Sequence, residues 1–129
     1  RYLAAAEGVE DRVRLELRFL PRTELARMVN GALAVALLPF DEDDLGYCTM
    51  EAFRAAKPVI TTTDAGGVLQ IVRDGETGLV VSPEPEVLGA AMAALAGDAA
   101  RAALLGRAGR AAMEAERLDW PSTVERLLA

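Results

Sequence analysis

The chain has 129 residues, of which 52% are hydrophobic and 26% charged, a globular composition long enough for one domain with a core. A net charge of −6 and a pI near 4.7 argue against nucleic acid or an anionic membrane as the main partner. The absence of histidine excludes imidazole catalysis and histidine metal sites. The single cysteine, Cys48, excludes an internal disulfide and a cysteine-rich zinc site.

Arg1 to Gly8 reads as the end of a helix, with Leu3 and the alanines inward and Gly8 at its C-cap. Val13, Leu15, Leu17 and Phe19 alternate with Arg14, Glu16 and Arg18, which predicts a half-buried strand over Arg12–Phe19, either at an edge or partly covered. Pro21 stops it. Thr23 is placed to cap a short helix, Glu24 to Val29, with an apolar stripe of Leu25, Met28 and Val29, closed by Asn30-Gly31. Ala32 to Leu38 is a continuous apolar run, the mark of a strand buried on both faces.

The stretch Pro39–Thr63 then reads as acidic loop, helix and strand. Asp41 to Asp44 are four consecutive carboxylates, Gly46 opens a helix reaching Lys57, and Pro58 ends it before the β-branched strand Val59-Ile60-Thr61-Thr62. Met50, Phe53 and Ala56 should face the sheet, while Tyr47, Glu51 and Ala55 share another face. Asp64 to Gly67 is a loop leading into Val68–Val72, Asp74-Gly75 a turn, and Leu79-Val80-Val81 a short strand. Glu86 to Ala96 forms a helix with Val87, Leu88, Met92 and Leu95 inward. Gly97 ends it, and Asp98 caps the next, Ala99 to Arg117, with Leu104, Leu105, Ala108 and Met113 in the core. Asp119-Trp120-Pro121 starts a last short helix.

These elements alternate as an α/β domain with a parallel, Rossmann-like sheet flanked by helices. Its acidic loop follows a strand, at the carboxyl edge where open α/β sheets bind ligands. The first-turn N–H groups at Gly46, Tyr47 and Cys48 suit an anion such as a phosphate. A carboxylate there repels phosphate, so its natural partner is a neutral hydroxyl donor such as a sugar. Glu51 lies one turn inside that helix and Asp43 eight positions earlier. Hydroxyl acceptors beside an anion-binding helix end suit a nucleotide-sugar.

This stretch resembles the Glu-x7-Glu motif of retaining glycosyltransferases with the GT-B fold, family 4 type. Their usual wording is Glu-Gly-Phe-Gly-Leu-x-x-x-Glu-Ala, then Lys-Pro-Val-Ile and a Gly-Gly loop. The likeness continues through Asp64-Ala65-Gly66-Gly67 and the run from Ile71 to Val81, and covers the chain from about Val13. It implies that the first acid contacts donor-sugar hydroxyls, Glu51 contacts the nucleotide ribose, and backbone amides of Gly46, Tyr47 and Cys48 hold the diphosphate. The first acid is Asp43 at the standard spacing, or Glu42 if the loop carries one extra residue. Asp44 stands where the family often has Gly.

The implied activity is transfer of a sugar from a nucleoside-diphosphate donor to an acceptor hydroxyl with anomeric configuration kept. No cofactor and no metal are expected beyond the donor substrate. The chain would be most of a C-terminal domain, since it starts at Arg1 without a signal peptide and lacks the Gly-Arg and Lys pair of such enzymes. Lys57 precedes a strand and is not that clamp. The acceptor-binding N-terminal domain would be a further partner. No apolar stretch approaches about 20 residues, so no transmembrane segment is expected, and a cytoplasmic location is.

Two other classes fit less well. A non-catalytic sugar-nucleotide module would tolerate replacement of the first Glu. A receiver-type phosphoacceptor domain places Lys-Pro after a strand, whereas Lys57-Pro58 precedes one. The resemblance also implies a sheet order 3-2-1-4-5-6 with the first two strands missing. The Arg12–Phe19 strand would then be left without its neighbours, while the strands at Ala32, Pro58 and Gly78 pair in sequence.

Overall fold

The computed structural model describes residues 2–42 and 44–129. Its sheet has three parallel strands in the order β1 (Val35–Ala36), β2 (Val59–Thr62) and β3 (Gly78–Val81). Val35 pairs with Val59 and Ala36 with Ile60; Val59 to Thr62 pair with Gly78 to Val81. The expected sequential pairing and the α/β, Rossmann-like class are therefore what forms. Central β2 is buried along its whole length, as a strand covered on both faces should be.

The helices are α1 (Tyr2–Ala6), α2 (Arg22–Gly31), α3 (Tyr47–Arg54), α4 (Pro85–Gly97), α5 (Ala99–Ala115) and α6 (Trp120–Leu128). Alternation in β2 divides the core in two. Val59 packs with Ala52 and Phe53 of α3, with Val68, Ile71 and Val72, and with Met113 of α5. Ile60 packs on the opposite face with Leu79, Ala91 and Leu95 of α4, and Ala102 and Leu105 of α5. Helix α5 thus contributes to both clusters. It passes close to the loop between α3 and β2, where a Cβ on Gly106 would lie 2.0 Å from the Ala56 carbonyl oxygen. A Cβ on Gly109 would lie 2.4 Å from the Phe53 ring.

Local chemistry explains the helix ends. Asp98 caps α5 by accepting from the Arg101 N–H at 2.8 Å, and Asp119 caps α6 from the Ser122 N–H at 2.7 Å. Gly8, at φ +64°, closes α1 through Val9 N–H to Ala4 and Gly8 N–H to Ala5. The same pair of bonds ends α3, from Lys57 N–H to Ala52 and from Ala56 N–H to Phe53, with Ala56 at φ +52°. So α3 stops at Arg54, ahead of Pro58, and α5 stops at Ala115, two residues short of Arg117.

Several expectations need correction. Arg12–Phe19 joins no ladder. Val13 and Leu15 are about half exposed, at 44% and 47%, and Leu17 and Phe19 are almost wholly exposed. Alternation specifies a strand only where a neighbouring strand supplies donors and acceptors. Here ion pairs organise the segment instead: Glu16 pairs with Arg14 and Arg18, and Arg18 grips Glu24 of α2 with two bonds. That pair raises the Arg18 pKa and lowers the Glu24 pKa.

The apolar run Ala32–Leu38 yields a short edge strand, with Leu33 and Leu38 exposed, because nothing covers its outer side among the described residues. Leu3 is exposed, so α1 has no buried face. Helix α2 begins after Pro21 with no side-chain cap from Thr23, and its Met28 is exposed. Val87 and Met92 of α4 and Leu104 of α5 also face outward, while Ala91 and Ala102 take the core positions. Val68–Val72 begins as a 3-10 turn over Gly67–Gln70. No single helix among the described residues is long and apolar enough to cross a membrane.

Candidate functional site

The loop between β1 and α3 is held at the carboxyl edge by backbone pairing. Asp41 N–H donates to Asp64 O at 2.8 Å, Glu42 N–H to Ala65 O at 3.3 Å, and Gly67 N–H to Glu42 O at 2.5 Å. Glu42 thereby forms an isolated parallel bridge with Gly66, extending the sheet past its last regular pair. Only glycine fits at position 66. Its φ is +83°, and a Cβ would lie 2.4 Å from the Glu42 carbonyl oxygen. The Gly-Gly loop therefore shapes the acidic loop directly, a role that two glycines in a sequence do not reveal.

Helix α3 opens at Gly46, with φ +67° and ψ 125°. A Cβ there would meet Leu37 Cδ2 at 2.5 Å, so the backbone rests directly on the Leu37 side chain. Tyr47 and Cys48 begin the helix and both are exposed. As first-turn residues they have no intrahelical acceptor for their N–H groups. The Gly46 N–H, expected to be open, instead donates to Asp44 Oδ1 at 2.6 Å. Glu51 lies on the exposed face one turn inside α3, and Glu42 is exposed beside the Gly66 bridge. The sheet edge thus brings Glu42, Gly46, Tyr47, Cys48 and Glu51 to one end of the molecule. Asp43 lies outside the described residues.

The structure adds polar groups that sequence reasoning missed. Thr49 and Thr61 are both fully buried, and neither hydroxyl has a hydrogen-bond partner among the described residues. One oxygen of Asp64 is likewise buried without a partner. Thr61 shares the face of β2 that carries Val59, toward α3, while Thr49 lies one turn before Phe53 on α3. Their only sequence signal was position, Thr49 at helical spacing from Phe53 and Thr61 two residues after Val59 in a strand. Beyond β3, Glu84 accepts from the Ser82 hydroxyl, which lowers the Glu84 pKa, while the nearby Asp64 charge opposes that shift. The Asp64 and Glu84 carboxylates therefore lie near one another at the same edge.

Known proteins resemble this chain in sequence and in fold. A family described as Glycosyl transferases group 1 matches residues 1–112. The D-inositol 3-phosphate glycosyltransferase of Nocardia farcinica is 36% identical over 99 residues, 74% of this chain and 21% of that protein. Sucrose-phosphate synthase from Thermosynechococcus elongatus superposes with a TM-score of 0.80 at 27% identity, over 98% of this chain and 33% of that one. Anabaena HepE in complex with UDP and glucose gives a TM-score of 0.73 at 23% identity, over 88% of this chain and 30% of HepE, and so supports the fold. The chain spans about a fifth of the curated relative and a third of the solved structures. With a family match across residues 1–112 and a sheet that superposes on these structures, the chain belongs to the glycosyl transferases group 1 family and fits a part of its C-terminal GT-B domain.

Proposed function

We propose that this chain is the larger part of the nucleotide-sugar-binding domain of a retaining glycosyltransferase. The carrying observation is the common placement of Glu42, the α3 mouth and Glu51 at the carboxyl edge of a parallel sheet. In this reading Glu51 accepts from a ribose hydroxyl, the amides at the α3 mouth face the diphosphate, and Asp43 or Glu42 accepts from sugar hydroxyls. Carboxylates suit the hydroxyl-bearing ends of the donor, and amides with the helix dipole suit its charged middle. The donor is a substrate, and no cofactor or metal takes part. In such enzymes the acceptor site and the Gly-Arg and Lys clamp for the diphosphate belong to other parts of the polypeptide, and this reading assigns neither to the present residues. Family membership sets aside the receiver-type reading.

UDP is the first nucleotide to test, because HepE is described in complex with UDP and with UDP-glucose. The complete polypeptide, incubated with UDP-sugars and simple hydroxyl acceptors, should release UDP and form a glycoside. Proton NMR of that product should show the donor's anomeric configuration kept. Inversion would remove the retaining assignment. Nucleotide binding with no transfer or hydrolysis would favour a non-catalytic module, which replacement of the first Glu also permits.

A further inference from the structure

Two hydroxyls lie in the core between α3 and β2. Thr49 of α3 and Thr61 of β2 are each fully buried, and neither Oγ1 has a hydrogen-bond partner among the described residues. A buried hydroxyl is costly unless something satisfies it, and here two occur at one interface. The β1–β2 register sets Ala36 beside Ile60, and one residue further on it sets Leu37 beside Thr61, on the face toward α3. Thr49 Oγ1 lies 3.7 Å from where a Cβ on Gly46 would be, and Leu37 Cδ2 lies 2.5 Å from that same point. Both threonines therefore adjoin the Leu37 side chain, at the end of the helix–sheet interface nearest the acidic loop. Their oxygens are not bonded to each other. Neighbouring buried polar groups beyond direct reach are joined by ordered water.

We propose that Thr49 and Thr61 act as one polar joint, their hydroxyls bridged by a single water, which fixes the height of the first turn of α3 over the end of β2. Both are positioning residues, since full burial keeps them from any ligand. Thr49 is the third residue of α3, directly after Tyr47 and Cys48, whose amides the functional reading turns toward the diphosphate. The joint's effect on the donor rests on that reading, and it adds to the reading what holds those amides in place. Apolar packing is non-directional and leaves the turn free to slide. A hydrogen-bonded bridge from helix to strand specifies one height.

The test uses the complete polypeptide with Thr49→Val, Thr61→Val and the double variant, because valine keeps the shape and drops the hydroxyl. Hydrogen exchange at the Phe53 amide reads how firmly α3 is held. Each single variant should exchange roughly five- to a hundredfold faster there, since the remaining hydroxyl and the water lose a partner. The double variant should exchange no faster than the worse single one, because no hydroxyl is left to satisfy. Thr49→Ser and Thr61→Ser keep the hydroxyl and should stay near the parent, and they serve if a valine variant folds poorly. By calorimetry, UDP affinity should fall about three- to tenfold in the single valine variants, return with serine, and stay low in the double variant, which restores packing without the joint. Exchange unchanged or slower in both single variants, or effects that simply add in the double one, would overturn the joint. Faster exchange with UDP affinity unchanged would overturn its positioning role. If the parent protein binds no UDP at all, the functional reading fails and takes the positioning role with it, while the exchange cycle decides the joint independently.

Discussion

Glu51 is the most testable side chain of the site. Its exposed place on α3 means that Glu51→Gln removes a charge and leaves the fold alone. If it accepts from ribose, the donor dissociation constant of the complete polypeptide should rise about ten- to a hundredfold, matching about 1.5–3 kcal/mol for a hydrogen bond to a charged group. An unchanged constant by calorimetry takes Glu51 out of the site. The first acid can be assigned in the same way. Asp43→Asn and Glu42→Gln should differ sharply, since only one carboxylate can reach the sugar hydroxyls. The effective substitution should lower turnover far more than UDP affinity. Small, equal effects would make the acidic run an ordinary solvated loop.

At the scale of elements, two close approaches fix how the pieces meet. Gly66→Ala forces a Cβ into the Glu42 backbone at a positive φ, so the bridge that anchors the acidic loop should open. We expect a loss of about 1–3 kcal/mol in urea unfolding, with the Asp41 and Glu42 amides losing exchange protection. Retained protection there would mean that the bridge does not anchor the loop. Helix α6 offers a pH prediction. The Ser122 backbone N–H and hydroxyl, together with Arg117 and Arg126, lower the Asp119 pKa, although partial burial opposes them. A carboxylate with a depressed folded pKa stabilises above its unfolded pKa, and that contribution is lost as pH falls through the folded one. Exchange at the α6 amides should therefore accelerate as pH drops below the ordinary aspartate range, beyond the intrinsic pH dependence of exchange. In Asp119→Asn this acid-specific step should disappear.

The molecule as a whole is stable around β2 and open at its margins. Strand β1 bonds to β2 through the Val35 and Leu37 N–H groups, which leaves the alternate N–H of Ala36 facing outward. The chain also displays Leu17 and Phe19, and α6 displays Trp120, Leu127 and Leu128. An unpaired edge together with exposed apolar side chains favours association. The isolated chain should therefore sediment as concentration-dependent oligomers. In hydrogen exchange on its monomeric fraction, Val13–Phe19 should exchange rapidly while Val59–Thr62 stays protected. A monomer at all concentrations with strong protection over Val13–Phe19 would contradict the unpaired state of that segment.

The chain's own letters determined the βαβ core. The apolar, β-branched strand after Pro58, the turn at Asp74-Gly75, the aspartate caps of the last two helices and the acidic loop before α3 are set by neighbours a few residues apart. That is why they were legible, and why the motif could be placed at a sheet edge from sequence alone. Tertiary structure decided the rest. Whether Arg12–Phe19 becomes a strand depends on a partner strand, and alternation carries no record of whether one is present. The outward turn of Val87, Met92 and Leu104 follows from which face of each helix meets the sheet, a choice among several apolar stripes. Gly66, Gly106 and Gly109 read as turn or helix glycines until another segment's backbone or ring comes within a Cβ's reach. The hold of Asp44 on Gly46, likewise, depends on a loop conformation built by the Glu42–Gly66 bridge, between residues twenty-four positions apart in the chain.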